Sequence, residues 1–137
     1  MNAVTLDRIH HIGVAVTDMD ESIRLYTSAF GAELVQRTVS ETDGLEAAFI
    51  RTGEGEVELL RPTREESPVG KFLARRGPGL HHVAYAVTDI DRALAEARAA
   101  GLELIDQEPR VGLHGSRIAF LHPKTMGGVL TELVEST

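Results

Sequence analysis

Two histidines and two glutamates in this 137-residue chain have the types and spacing to do metal chemistry: His11, Glu58, His82 and Glu132. Glu58 follows His11 by 47 residues, in the stretch VELL, and Glu132 follows His82 by 50, in the stretch TELV. Each Glu interrupts an apolar run, where an unpaired buried carboxylate would be expensive. A divalent cation would satisfy two imidazoles and two carboxylates together. That donor set suits a borderline or hard ion, with Co, Mn, Ni, Zn and Fe all plausible. Such ions often take six ligands, which leaves positions for water or substrate oxygens. Lewis-acid help to a carbonyl favours removal of a proton beside it by a carboxylate base.

The histidines belong to a repeat. HHIGVAVTDMD, from His10 to Asp20, returns as HHVAYAVTDID, from His81 to Asp91, with seven of eleven positions identical at an offset of 71 residues. Duplicated modules tend to pair about a pseudo-twofold axis, so a residue kept in both copies can reach one site from two sides. Side chains alternate along a strand. His10, Ile12, Val14 and Val16 therefore share one face, and His11, Gly13 and Ala15 the other; the second copy sets His81, Val83, Tyr85 and Val87 against His82, Ala84 and Ala86. The bulky face should pack on helices. The small face leaves space beneath each imidazole, where a core would be filled, so a cavity ending at His11 and His82 is expected. His10 and His81 are structural on this reading, and His114 and His122 sit by loops.

Each module reads βαβββ. In the first, Arg8 to Thr17 is a strand, and Asp18 with Glu21 resembles a capping box. A helix carrying Ile23, Tyr26 and Phe30 follows, stopped by Gly31. Strands are expected near Glu33 to Val39, Glu46 to Thr52 and Glu56 to Arg61. A Pro- and Gly-rich connector holds a short helix from Val69 to Arg76, capped by Ser67 and ended by Gly77. Its Lys71, Arg75 and Arg76 suit either a solvated helix end or an anion contact. In the second module Asp89 or Asp91 opens a helix with Ile90, Leu94, Ala97 and Ala100 on one face. Strands are expected near Leu102 to Glu108, Arg117 to His122 and Gly128 to Val134, with an irregular, substrate-side loop from Pro109 to Arg117. The fold class is α+β, tandem βαβββ modules forming a curled mixed sheet around a metal site. The chain counts as one domain, with module one at about 8–61, a linker at 62–79 and module two at about 80–135.

Composition limits the alternatives. A hydrophobic content of 42% fits a soluble globular protein, and no apolar run approaches a membrane span. The net charge of −7 argues against nucleic acid. The start MNAVTLDRIHH lacks the marks of a signal peptide. The absence of cysteine excludes disulfides and thiolate chemistry and suits a reducing compartment, so a cytoplasmic protein is expected.

The chain resembles the methylmalonyl-CoA epimerase family of the vicinal oxygen chelate superfamily, from Ile9 to Glu135. The superfamily features are the duplicated module and its His and Glu residues. The more specific ones are SPVGKFLARRGPGLHHVAY at Ser67 to Tyr85, EPRVGLHGSRIAFLHPK at Glu108 to Lys124, and GGVLTELVE at Gly127 to Glu135. The resemblance implies metal ligands at His11, Glu58, His82 and Glu132, with Co2+ favoured over Mn2+, Ni2+ and Zn2+. It implies an acyl-CoA substrate and a homodimer. The implied reaction exchanges (2R) and (2S) forms by removal of the C2 proton through a metal-stabilised enolate, with Glu132 as acid-base residue. Some family members carry a second catalytic Glu where this chain has Ala47. Glu46 stands one place earlier, and a one-residue shift turns a side chain to the other face unless a bulge restores it. Arg117 and Lys124, in an epimerase-like segment, are expected to contact the substrate. Three related chemistries remain open: glyoxalase I-type lyase activity on a glutathione adduct, ring cleavage at Fe(II) with two His and one Glu, and non-enzymatic binding of a small molecule.

Overall fold

The computed structural model describes residues 3–136, which fall into two compact units. One spans His11–His81; the other combines the chain up to His10 with everything from His82 onward. Both unit boundaries cut a His-His pair of the repeat.

In the first unit the strands are β1 (Arg8–Ala15, most of it in this unit), β2 (Glu33–Ser40), β3 (Leu45–Thr52) and β4 (Gly55–Pro62), in the order β2-β3-β4-β1. β1 runs parallel to β4 and the other pairings are antiparallel. Asp18 opens α1 (Met19–Arg24), its side chain accepting the Glu21 N–H at 3.0 Å. The expected single helix then widens into a π-helical turn, Leu25–Ala29, in which the Thr27 hydroxyl donates back to the Ile23 carbonyl. The change of pitch carries Phe30 off the apolar face, and it is 74% exposed. Ile12, Val14 and Tyr26 pack with Val16, Met19, Ile23, Ala48, Ile50, Val57 and Leu59, so the bulky face of β1 does meet a helix. The connector helix α2 (Pro68–Arg76) has its Ser67 cap and its Gly77 stop, at φ 75°.

In the second unit β5 (Gly79–Val87, most of it in this unit) leads into α3 (Ile90–Ala99), capped by Asp89 rather than Asp91. Next come β6 (Arg110–Val111), β7 (Arg117–Leu121) and β8 (Thr131–Glu135), in the order β5-β8-β7-β6. β5 runs parallel to β8. Tyr85, Val87 and Leu133 pack with Ile90, Leu94 and Ala97 of α3, repeating the arrangement of the first unit.

Three expectations need correction here. The stretch from Leu102 to Glu108 is no strand, because Asp106 takes with its carboxylate, at 2.8 Å, the Phe120 N–H that a partner strand would have used. Only Leu104 bridges, to Leu121. The third strand pairing passes instead to Arg110 and Val111, inside the segment expected to be irregular, where they pair with Ile118 and Arg117. β8 also begins at Thr131 rather than Gly128, since Gly127 and Gly128 both hold positive φ, 67° and 92°, in the turn before it.

Candidate functional site

Register determines which side chains share a face. In the first unit Glu58 lies opposite Gly13 on β1 and opposite Phe49 on β3. His11, Gly13, Ala15, Ala47, Phe49 and Glu58 therefore share the face away from the helix, because directly paired residues point the same way. His11 is 1% exposed and Glu58 7%, and the imidazole Nε2 stands 3.4 Å from the carboxylate. The small residues Gly13 and Ala15 follow the histidine along the strand, as the repeat implied.

The second unit carries the same construction. Glu132 lies opposite Ala84 on β5 and opposite Phe120 on β7. His82 and Glu132 are each 4% exposed, with Nε2 3.1 Å from the carboxylate. The Phe120 ring meets the His82 ring edge-on, with centroids 5.6 Å apart. Ala84, Ile118, Val134 and Phe120 form a separate apolar cluster on this face. Each unit thus presents one buried His-Glu pair whose glutamate lies between a small residue, Gly13 or Ala84, and a phenylalanine, Phe49 or Phe120, and all four donors are among the residues that could hold a metal ion.

Phe49 and Phe120 were missed in the sequence. The signal was present, since Ala48-Phe49-Ile50 returns as Ala119-Phe120-Leu121 at the same offset of 71. Both phenylalanines stand directly across from the glutamate of their unit.

Glu46 is placed by an unbroken register. β3 pairs with β4 without interruption from Leu45 to Thr52, so no bulge turns Glu46 back. It lies opposite Arg61, on the helix side. Arg37 Nε donates to it at 2.7 Å and Arg61 Nε at 3.1 Å. The Arg37 hydrogen bond, supported by Arg61 and working against burial, holds the Glu46 carboxyl below the usual carboxylate range. Arg37 also binds Asp20 at 2.7 Å, which ties the strand to α1.

Of the two cations expected at the substrate, Arg117 lies on the helix side of β7. Its Nη2 donates to both Asp91 oxygens, at 2.9 and 2.8 Å, and its Nη1 reaches Glu135 at 3.5 Å. Lys124, in a short 3-10 turn Pro123–Thr125, is solvent-exposed with Glu103 3.6 Å away. His122 Nδ1 accepts the Lys124 N–H, capping that turn. His81 stands edge-on to Phe72 of α2, and Arg76 of the basic cluster lies over the same phenylalanine. His10 pairs with the His114 ring at 5.3 Å. Among the described residues no helix is long and apolar enough to cross a membrane.

Comparison with known proteins agrees with this geometry. Residues 10–120 match the model of the glyoxalase/bleomycin resistance protein/dioxygenase superfamily. A mitochondrial methylmalonyl-CoA epimerase of Dictyostelium discoideum is 34% identical over 96% of this chain and 80% of its own. An ethylmalonyl-CoA/methylmalonyl-CoA epimerase of Cereibacter sphaeroides is 35% identical over 93% and 97%. Among solved structures, a Streptomyces coelicolor methylmalonyl-CoA epimerase variant in complex with 2-nitronate-propionyl-CoA superposes with a TM-score of 0.92 at 43% identity, over 97% of this chain and 96% of that one. The chain belongs to the glyoxalase/bleomycin resistance protein/dioxygenase superfamily, and within it to the methylmalonyl-CoA epimerase family. Its tandem βαβββ modules in a mixed sheet are the fold of that superfamily.

Proposed function

We propose that this protein interconverts the (2R) and (2S) forms of methylmalonyl-CoA by removing and returning the C2 proton, with one divalent ion shared by His11, Glu58, His82 and Glu132. The observation that carries the reading is the duplicated, buried His-Glu pair. A lone structural glutamate would not be expected to recur beside a buried histidine in both modules. The donors fit a divalent ion, since two neutral imidazoles leave two buried carboxylates uncompensated and a doubly charged cation balances them. Co2+ is the favoured metal, followed by Mn2+, Ni2+ and Zn2+. When bound, the ion supplies Lewis acidity to the carboxylate and thioester oxygens that flank C2.

The residues themselves supply position and proton transfer. Glu132 accepts the C2 proton from one side and is the acid-base residue of this reading. His82, beside it, fixes the carboxylate, and Phe120 keeps water from its flank. Glu46 points to the other face and is held by two arginines, so it is not the second acid-base group. A bound water is the proton source we assign to the opposite side of C2. Lys124 is the freer of the two cations expected at the substrate; Arg117 would have to leave Asp91 to take part. Both modules act as one domain in this reading. A homodimer follows from the family resemblance, and the cytoplasm suits a chain without cysteine, although the Dictyostelium relative is named as mitochondrial.

The test is to incubate metal-loaded protein with (2S)-methylmalonyl-CoA in heavy water, beside a metal-free control, and follow configuration and deuterium at C2. Metal-dependent epimerisation with deuterium uptake is expected. No reaction above the control, in protein shown to hold metal, would overturn the reading; turnover of a glutathione adduct instead would reassign it to glyoxalase-type chemistry.

A further inference from the structure

The register of the second unit brings Arg110 to the face that carries the His82-Glu132 pair. Arg110 on β6 lies opposite Ile118, and Ile118 lies opposite Val134. Arg110 is therefore on the same face as His82, Phe120 and Glu132, whereas Arg117, seven residues on, is on the helix side. Arg110 is the one cation that the described strands of this unit set on that face.

Its setting holds it close to the site. The guanidinium carbon stands 5.8 Å from the centre of the Phe120 ring, and that ring meets His82 at 5.6 Å. Arg110 Nε reaches Asp106 at 3.4 Å, a long contact, and the other oxygen of that carboxylate already accepts the Phe120 N–H at 2.8 Å. Asp106 is thus a shared and partial counterion. The Arg110 side chain keeps 44% of its surface exposed. A cation stacked on an aromatic ring, incompletely neutralised and open to solvent, is arranged to receive an anion. The protein carries a net charge of −7, so an anionic substrate has to find its cations locally.

We propose that Arg110 binds an oxyanion of the acyl-CoA substrate, through the planar fork that suits carboxylate and phosphate equally. The inference rests on the function proposed above, and it makes Arg110 a specificity residue. The oxyanion is the malonyl carboxylate or a coenzyme A phosphate, which share this chemistry.

Steady-state kinetics of Arg110→Met and Arg110→Lys, on methylmalonyl-CoA and on the phosphate-free methylmalonyl-pantetheine thioester, test it. Arg110→Met should raise KM for the CoA ester by about tenfold or more, the loss of one charge-assisted contact, with kcat within about threefold. Arg110→Lys should recover part of it. If the KM effect persists on the pantetheine ester, the carboxylate is the anion held; if it disappears there, the phosphate is. A KM within about twofold of wild type on both esters would overturn the inference. Should Arg110→Met fold poorly, Arg110→Gln, which keeps length and a polar head, takes its place. Calorimetric titration of methylmalonyl-CoA separates the two claims. A wild type that binds with an Arg110-dependent Kd but does not epimerise overturns the function and supports the contact; one that epimerises while binding independently of Arg110 does the reverse.

Discussion

Glu46 and Glu58 sit on neighbouring antiparallel strands with their carboxylates on opposite faces of the sheet. Glu58 lies across from Phe49 and Glu46 across from Arg61, in one uninterrupted register. The odd separation of Glu46 from Phe49 sends their side chains to opposite sides. Glu58 has a histidine as neighbour, and Glu46 has two arginines. One glutamate joins a histidine on the face away from the helix, and the other joins arginines on the helix side.

Glu46→Gln should therefore lower stability and leave turnover within about twofold. Removing the charge from two charge-assisted hydrogen bonds costs about 1.5–3 kcal/mol at neutral pH. The folded carboxyl titrates below its unfolded value of 4.5, so its contribution is fully present above that value and fades as pH falls through the lower, folded one. Urea melts of both proteins should differ most near pH 7 and converge in acid. A large loss of kcat with unchanged stability would reverse the assignment.

The two apolar rings at Phe49 and Phe30 make a contrasting pair. Phe49 is 2% exposed and faces Glu58, while Phe30 is 74% exposed beyond the π turn. Phe49→Ala should cost about 3–5 kcal/mol and Phe30→Ala less than about 0.5 kcal/mol. Thermal melts measure both, and equal costs would mean that the helix carries on in regular α pitch with Phe30 packed.

The helix caps offer a test of the duplication outside the site. Asp18 and Asp89 each accept the N–H three residues on, at 3.0 and 3.1 Å. Asp18→Ala and Asp89→Ala should each cost about 1 kcal/mol in a urea titration, with epimerisation unaffected. Asp91→Ala, which removes only an exposed partner of Arg117, should cost no more than about 1 kcal/mol.

The repeat made the paired histidines and the Asp18 cap legible, because each depends on residue type at a fixed local spacing, whereas the second cap stayed open between Asp89 and Asp91. Where a position depends on register across strands, the sequence was a weaker guide. Arg117 and Arg110 look alike in PRVGLHGSR, and only the pairing of β6 with β7 sends them to different faces. The missing strand after Gly101 has a similar cause, since Leu102 to Glu108 has strand-like composition but the Asp106 carboxylate takes over the bond a strand would make. Phe49 and Phe120 lie at the same offset of 71 beyond the histidine repeat, in a weaker match where only the Ala-Phe pair is identical. The π turn has no counterpart in the second module, and the spacing of Ile23, Tyr26 and Phe30 reads as ordinary helix.

The most direct measurement is metal content per chain in the wild type, His11→Ala and His82→Ala. The two pairs, one from each module, are proposed to share a single ion. One divalent ion per chain in the wild type, and its loss in either variant with the fold intact by circular dichroism, is the predicted result. Two ions per chain, or full occupancy after either substitution, would contradict it.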